Sequence, residues 1–393
     1  MIATKVEERQ GAARPATPLL AAVFVSSFDR FAISPMLVLI ALALETPLAS
    51  VVALAGGYFL AYGLSQPMWG VLSDRFGRLT VMRIALLGAA VAGTASAFAP
   101  TLAALIVARV FAGACFGAVL PTSLTYVGDT VESANRQRAL SDVVAVTAVG
   151  TALATGLAGL AADLLHWRVV FALPVLAALT CVFALRRLPE PERPTVVSLS
   201  AQLGTVLRNR WAVAVFALAF VEGGVLLGVM TFFAAALQAR GSSATVAGLA
   251  TVAYGLGVVL ASRMVKALTR RLPVAVLMLL GGAQMLVGYL LAALRIDPAT
   301  VAVSTLLLGG GWAFLHTSLQ TWATEVTPHA RGTAVSLFAG ALFLGSATAT
   351  AVAAPAAQHD RYGLLFAGAA IATVPLTLAA VLGWRRWQRT SRN

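Results

Sequence analysis

Charge is what this chain has least of. Asp, Glu, Lys and Arg make up 11% of its 393 residues, against 59% hydrophobic residues, and the mean hydropathy is +0.87. A soluble domain normally carries about 25% charged residues, so this composition excludes a set of water-soluble domains. Lysine is scarcer still, with only Lys5 and Lys266. An ATP-driven pump needs a phosphate loop ending in Gly-Lys, and neither lysine follows a glycine. The four histidines, at 166, 316, 329 and 359, form no His-Glu-x-x-His pair, which excludes a metalloprotease of that type. No Gly-x-Ser-x-Gly nucleophile is present either. No enzyme activity, cofactor or metal is therefore expected. The two cysteines, Cys115 and Cys181, fall inside apolar runs and read as packing residues rather than a disulfide.

What the chain has in excess is apolar runs long enough to cross a bilayer, for which about 20 residues suffice. Twelve spans are expected near 18–44, 49–71, 80–99, 101–127, 139–162, 166–185, 211–238, 245–267, 273–294, 298–324, 332–356 and 362–384. The fold class is thus an all-α membrane protein. Residues 1–17 are polar and have no apolar core, so no cleavable signal peptide is expected. The one long interruption, 186–210, opens on a Pro- and charge-rich stretch. It becomes amphipathic at Leu199, Leu203, Val206 and Leu207, which suggests a helix lying on the membrane surface. The expected organisation is a tail (1–17), a six-helix bundle (18–185), a linker (186–210), a second bundle (211–384) and a tail (385–393).

The net charge of +13 is a topology signal. Arg168, Arg240, Arg295 and Arg361 fall on one side of the predicted spans, and Arg30 and Arg109 fall inside them. All other cations gather in the tails, the linker and the turns of the opposite side. Cations mark the cytoplasmic side, so both termini are expected there, in a bacterial inner membrane. No soluble basic face exists for nucleic acid.

Between the second and third spans lies a dense polar island, Gly70-Val-Leu-Ser-Asp74-Arg75-Phe-Gly77-Arg78. A short positive-inside turn accounts for its charge but not for its spacing. Gly-x-x-x-Asp-Arg-x-Gly-Arg resembles the loop signature of the major facilitator superfamily. Phe28-Asp29-Arg30-Phe31 with Ser34-Pro35 is similar to the first helix of drug- and sugar-efflux members, and Arg109-Val-Phe-Ala-Gly113 to the fourth-helix Arg-x-x-x-Gly associated with proton coupling. Tyr126-Val-Gly-Asp129 looks like the turn after that helix. The resemblance implies two pseudo-symmetric six-helix bundles. It further implies a cytoplasmic latch of Gly70, Asp74, Arg75, Gly77, Arg78 and Asp129, in which the loop signature pairs with the fourth-helix acid and with the start of helix 11. One departure stands out. Proton-coupled drug antiporters carry Gly-Pro in the fifth helix, where this chain has Ala154-Thr155 and keeps only Gly150, Gly156 and Gly159.

A weak internal repeat agrees with two bundles. Asp29 maps onto Glu222 and Arg78 onto Arg271 at one offset of 193 residues, while Asp74 maps onto Ala267. Transporters built from repeats hold their sites at the repeat interface. A charged side chain near the bilayer centre costs roughly 2.5–3.5 kcal/mol on insertion scales and faces a cavity or a partner. The candidate substrate and proton site is therefore Asp29, Arg30, Arg109 and Glu222. Trp312, His316 and Gln320, on one face of the tenth span, complete it. Asp29 and Arg109 could equally form a structural ion pair, and His316 could be a hydrogen-bonded core residue. Gln66 and Tyr62 are weaker candidates, and Asp142 reads as an acid at a helix start.

The function expected is secondary active transport by a monomer, with a small molecule and protons as partners in a lipid bilayer. Proton-coupled efflux of a small amphiphilic or cationic compound leads. Export of a sugar or metabolite and uptake by symport are the alternatives within transport, and a channel or sensor is the alternative outside it.

Overall fold

The computed structural model describes residues 14–191, 199–328 and 330–391. The expectations that concern residues 1–13, 192–198, 329 and 392–393, and the Leu199 side chain, lie outside what is described. Twelve helices are long and apolar enough to cross a membrane: Thr17–Ala43, Leu48–Phe76, Arg78–Phe98, Leu102–Thr130, Ser133–Leu164, Trp167–Leu185, Arg210–Gln238, Ala244–Leu268, Val274–Leu294, Pro298–Glu325, Arg331–Gln358 and Tyr362–Thr390. They are numbered below as the first to the twelfth span. A chain crossing hydrocarbon must satisfy its backbone internally, which helices do, and polar caps end several of these helices. Asp297 accepts from the amides of Ala299 and Thr300 at the head of the tenth span. Ser243 accepts from Val246 at the head of the eighth.

The spans pack by one scheme used twice. In the first half the first span packs on the fifth, the second on the fourth, and the third on the sixth. In the second half the seventh packs on the eleventh, the eighth on the tenth, and the ninth on the twelfth. The halves meet where the second span crosses the eleventh and the fifth crosses the eighth. Small residues permit the second crossing. A side chain on Gly159 would meet the carbonyl of Ala244, and one on Gly248 that of Thr155.

Three boundaries depart from the hydropathy reading, for one reason. Helices continue past the apolar run wherever the next residues are polar but helix-competent. The segment read as a polar loop after residue 71 is helix to Phe76, and only Gly77 separates the second span from the third. The fifth span starts at Ser133 rather than 139, which leaves Asp142 in its interior and not at a helix start. The last helix runs to Ser391, well beyond residue 384. In the linker, Leu199–Arg208 is helical. Val206 there is fully buried, whereas Leu207 is exposed.

Candidate functional site

Asp29 sits midway along the first span and Arg109 in the first half of the fourth. Arg109 Nη1 donates to Asp29 Oδ1 at 3.0 Å and Nη2 to Oδ2 at 2.8 Å, with a further bond from Nη2 to the Asp29 carbonyl at 3.1 Å. This is the bidentate fork that a guanidinium makes with a carboxylate. The Arg109 guanidinium lies 4.7 Å from the Tyr58 ring centre and 5.1 Å from that of Phe171. Both partners are buried, Asp29 at 2% exposure and Arg109 at 1%. The ion pair weighed from the sequence is present, as a neutral unit inside the first half.

Arg30, the next residue, is also buried, but no carboxylate meets it. Its guanidinium lies 5.1 Å from the ring of Phe31, 5.0 Å from Tyr62 and 5.5 Å from Phe343. Phe343 belongs to the eleventh span, so the two halves build this cage together.

Glu222 occupies the matching place in the second half. It follows Arg210, the first residue of its span, by 12 residues, as Asp29 follows Thr17. Sequence reasoning found Glu222 and His316 separately; the fold joins them, with His316 Nδ1 3.1 Å from Glu222 Oε2. Glu222 is wholly buried, and its other oxygen, Oε1, has no partner. His316 stacks on Trp312, with ring centres 3.7 Å apart and planes 16° off parallel, while Phe338 lies 5.4 Å away on another side. Gln320, one turn further along, is half-buried and forms no hydrogen bond with the pair.

The helices are irregular at this pair. A π-helical turn spans Gly224–Gly228 in the seventh span and another spans Trp312–His316 in the tenth. Such turns are frequent at functional sites. Carbonyls at the seventh-span turn accept from side chains: Ser346 Oγ donates to Gly223 O at 2.9 Å, and the Tyr289 hydroxyl donates to Val225 O. Gly223 is indispensable here, because any Cβ would run into the backbone of Leu342.

The signature residues gather at the end of the molecule that carries both described tails. Buried Arg78 donates to Asp74, to Ser73 Oγ at 2.9 Å and to Asp129 Oδ2 at 3.2 Å. Gly77 has φ of +101°, a conformation that L side chains rarely adopt. Gly70 faces open space, Arg75 lies over the Phe76 ring, and among the described residues no ion pair joins this cluster to the start of the eleventh span. One partner was missed. Glu190 of the linker accepts from the amides of Leu79 and Thr80 at 3.0 and 3.1 Å, capping the third span beside Gly77. The acid of Pro189-Glu190-Pro191 was the available signal, read only as part of a linker. Arg271, the repeat partner of Arg78, has no acid beside it and is exposed.

The opposite end is closed. Ser34 Oγ donates to Thr231 O at 2.8 Å, Gln238 Nε2 to Pro35 O at 3.0 Å, and the Ala49 amide to Gln358 Oε1 at 2.9 Å. Asp163 at the end of the fifth span accepts from the amides of Ala244 and Thr245 at 3.3 and 2.6 Å, capping the eighth span across the interface. Among the described residues, every side-chain hydrogen bond between the halves lies at this end, and every ion pair stays within one half.

Residues 19–350 match the sequence profile of the Major Facilitator Superfamily. A triacylglyceride transporter of Mycolicibacterium smegmatis is 33% identical over 150 residues, 36% of this chain. The match spans only 27% of that relative's own length. A multi-drug resistance efflux pump PmrA homolog of Lactococcus lactis is 23% identical over 340 residues, covering 84% of each chain. Among solved structures, a bacterial homolog of the human lysosomal transporter Spinster, in an inward-facing conformation, superposes with a TM-score of 0.76. It covers 95% of this chain and 96% of its own at 15% identity. A D-xylose–proton symporter also reaches 0.76, over 93% and 96% of the two chains at 18% identity. At those identities the likeness concerns the fold.

Proposed function

We propose that this chain, which belongs to the major facilitator superfamily, is a secondary active transporter that expels a small amphiphilic compound in exchange for protons. The observation that carries the reading is the Glu222–His316 contact. In it a buried carboxyl with one bare oxygen meets the one side chain whose ordinary titration falls between pH 5 and 8. Proton loading at this pair changes the charge held between the seventh and tenth spans, both wound irregularly there. Loading is then able to bias which end of the protein is open. A ligand shifts such an equilibrium only through different affinity for the two states. A proton on the Glu222–His316 pair and substrate in the cavity that favour opposite states supply that difference.

The end carrying the tails also carries most of the cations, so it is read as cytoplasmic. The described state, hydrogen-bonded between its halves only at the other end, is then the inward-facing one. In the outward-facing state the Asp74–Arg78–Asp129 cluster acts as the cytoplasmic latch, with the eleventh span's start as its counterpart. One proton moved down one pH unit supplies about 1.4 kcal/mol, a tenfold substrate gradient. Uptake by symport is favoured by one observation, the Ala154-Thr155 departure in the fifth span. Flux in proteoliposomes with the pH gradient imposed in each direction decides. Substrate moving against the proton flow supports efflux by antiport, movement with it supports symport, and indifference to the gradient overturns proton coupling.

A further inference from the structure

We infer that Arg30 is the anchor for an anionic group on the transported compound, so that the substrate is an amphiphile with a carboxylate, phosphate or comparable head. This rests on the transporter reading and narrows its substrate class, away from the cationic compounds that the sequence alone left open. Three observations carry it. Arg30 is buried at 7% exposure, midway along the first span. Among the described residues it makes no hydrogen bond or ion pair, and its Nε is buried without a partner there. The two buried acids among the described residues, Asp29 and Glu222, are committed elsewhere, Asp29 to both arms of Arg109 and Glu222 to His316.

A buried cation is ordinarily paired, and inside a membrane an unpaired one marks a place where function overrides stability. The aromatic faces of Phe31, Tyr62 and Phe343 give this guanidinium partial compensation. They also present apolar surface on which the body of an amphiphile can lie. Phe343 comes from the eleventh span and the other two rings from the first and second. Rocking of the halves therefore takes the cage apart, so an anion held by Arg30 feels which way the protein faces.

Thermal stability of the purified full chain in a non-ionic detergent tests this without a membrane or a gradient. Matched probes on three apolar bodies (naphthalene, adamantane and a decyl chain) carry a carboxylate, a phosphate ester, an amide or a trimethylammonium group. The expected result is that the stabilising probes are anionic and that Arg30→Gln abolishes their Tm shift. Arg30→Lys, a point charge without the guanidinium's fork, should keep only part of it. Ligand-free Arg30→Met should melt higher than the parent protein, because it removes an unpaired buried charge. Stabilisation by the amide or trimethylammonium members equal to that by the anions overturns the inference. So does the absence of any anionic stabiliser, or an anion-induced shift that survives in Arg30→Gln. The last outcome assigns Arg30 to pairing with Asp29 or Glu222 in another conformation. Because no gradient is involved, a failure of proton coupling leaves the anion-induced shift intact.

Discussion

Asp29 in the first half is gripped by both arms of a guanidinium, whereas Glu222 in the second half touches a single imidazole nitrogen and keeps one oxygen bare. The two acids stand at the same distance from the start of their helices. Arginine stays protonated at any physiological pH, so the first pair is held as a fixed ion pair. Histidine's ordinary titration lies in the physiological range, so the proposed proton exchange is placed at the second pair. The helices agree. Asp29 and Arg109 lie in regular α-helix, with a 3-10 turn at Ser34–Met36 one turn beyond Asp29, while π-helical turns adjoin Glu222 and contain His316. In the proposed mechanism one half stays and the other responds.

The largest expected effect breaks the fixed pair. Arg109→Gln leaves the Asp29 charge buried and unpaired, which costs about 3–5 kcal/mol. It should sharply lower the yield of folded protein in a melting assay. The joint Asp29→Leu, Arg109→Met variant leaves neither charge and should recover most of the loss. A single variant as stable as the parent protein would make the first pair dispensable and erase the contrast.

A second, intermediate effect compares the two ends. Asp163→Ala removes the cap that binds the eighth span across the closed end, so it should favour the state open there. Asp74→Asn weakens the cluster proposed to hold the other end shut, so it should favour the described state and slow transport severalfold in folded protein. Single cysteines at Met36 and Thr231, both buried at the closed end, in a background lacking Cys115 and Cys181, report the difference through an impermeant thiol reagent. Labelling should rise in Asp163→Ala and fall in Asp74→Asn. Equal labelling in both variants would remove the two-ended latch.

The smallest effect is a control on pH. Asp297 caps the tenth span outside the hydrocarbon, and its bonds from the Thr300 hydroxyl and amide hold its carboxyl below the usual carboxylate range. A depressed carboxyl contributes stability that is full above its unfolded value, about 3.9, and is lost as pH falls through its folded value. Asp297→Asn should therefore leave the pH profile of transport between 5 and 8 unchanged. A shifted profile would show that the response is not confined to the Glu222–His316 pair.

The apolar runs made the twelve helices legible, because a helix in hydrocarbon needs little beyond length and hydropathy. They failed where a helix leaves hydrocarbon. Asp74 and Arg75 read as loop but form the last helical turn, since hydropathy records where lipid ends and not where hydrogen bonding ends. The buried charges were legible as costly residues needing partners. The partners themselves were legible only in part: Asp29–Arg109 was weighed, while Glu222 and His316, 94 positions apart, have no local spacing to join them. Arg30 was found as a charge, but its isolation became visible only once every nearby acid was seen to be engaged. Glu190 was overlooked because a capping acid that reaches a helix more than a hundred residues away leaves no pattern near that helix.

The most direct measurement compares Glu222→Gln and His316→Gln with Asp29→Leu, Arg109→Met in proteoliposomes, each for pH-gradient-driven flux and for substrate exchange at equal pH. The account predicts that both second-half variants lose gradient-driven accumulation by at least about tenfold, the worth of one proton per pH unit, while retaining exchange. It also predicts that the first-half double variant, once folded, still couples. Accumulation retained in Glu222→Gln and His316→Gln, or coupling lost only in the first-half variant, would contradict the assignment of the proton to the second half.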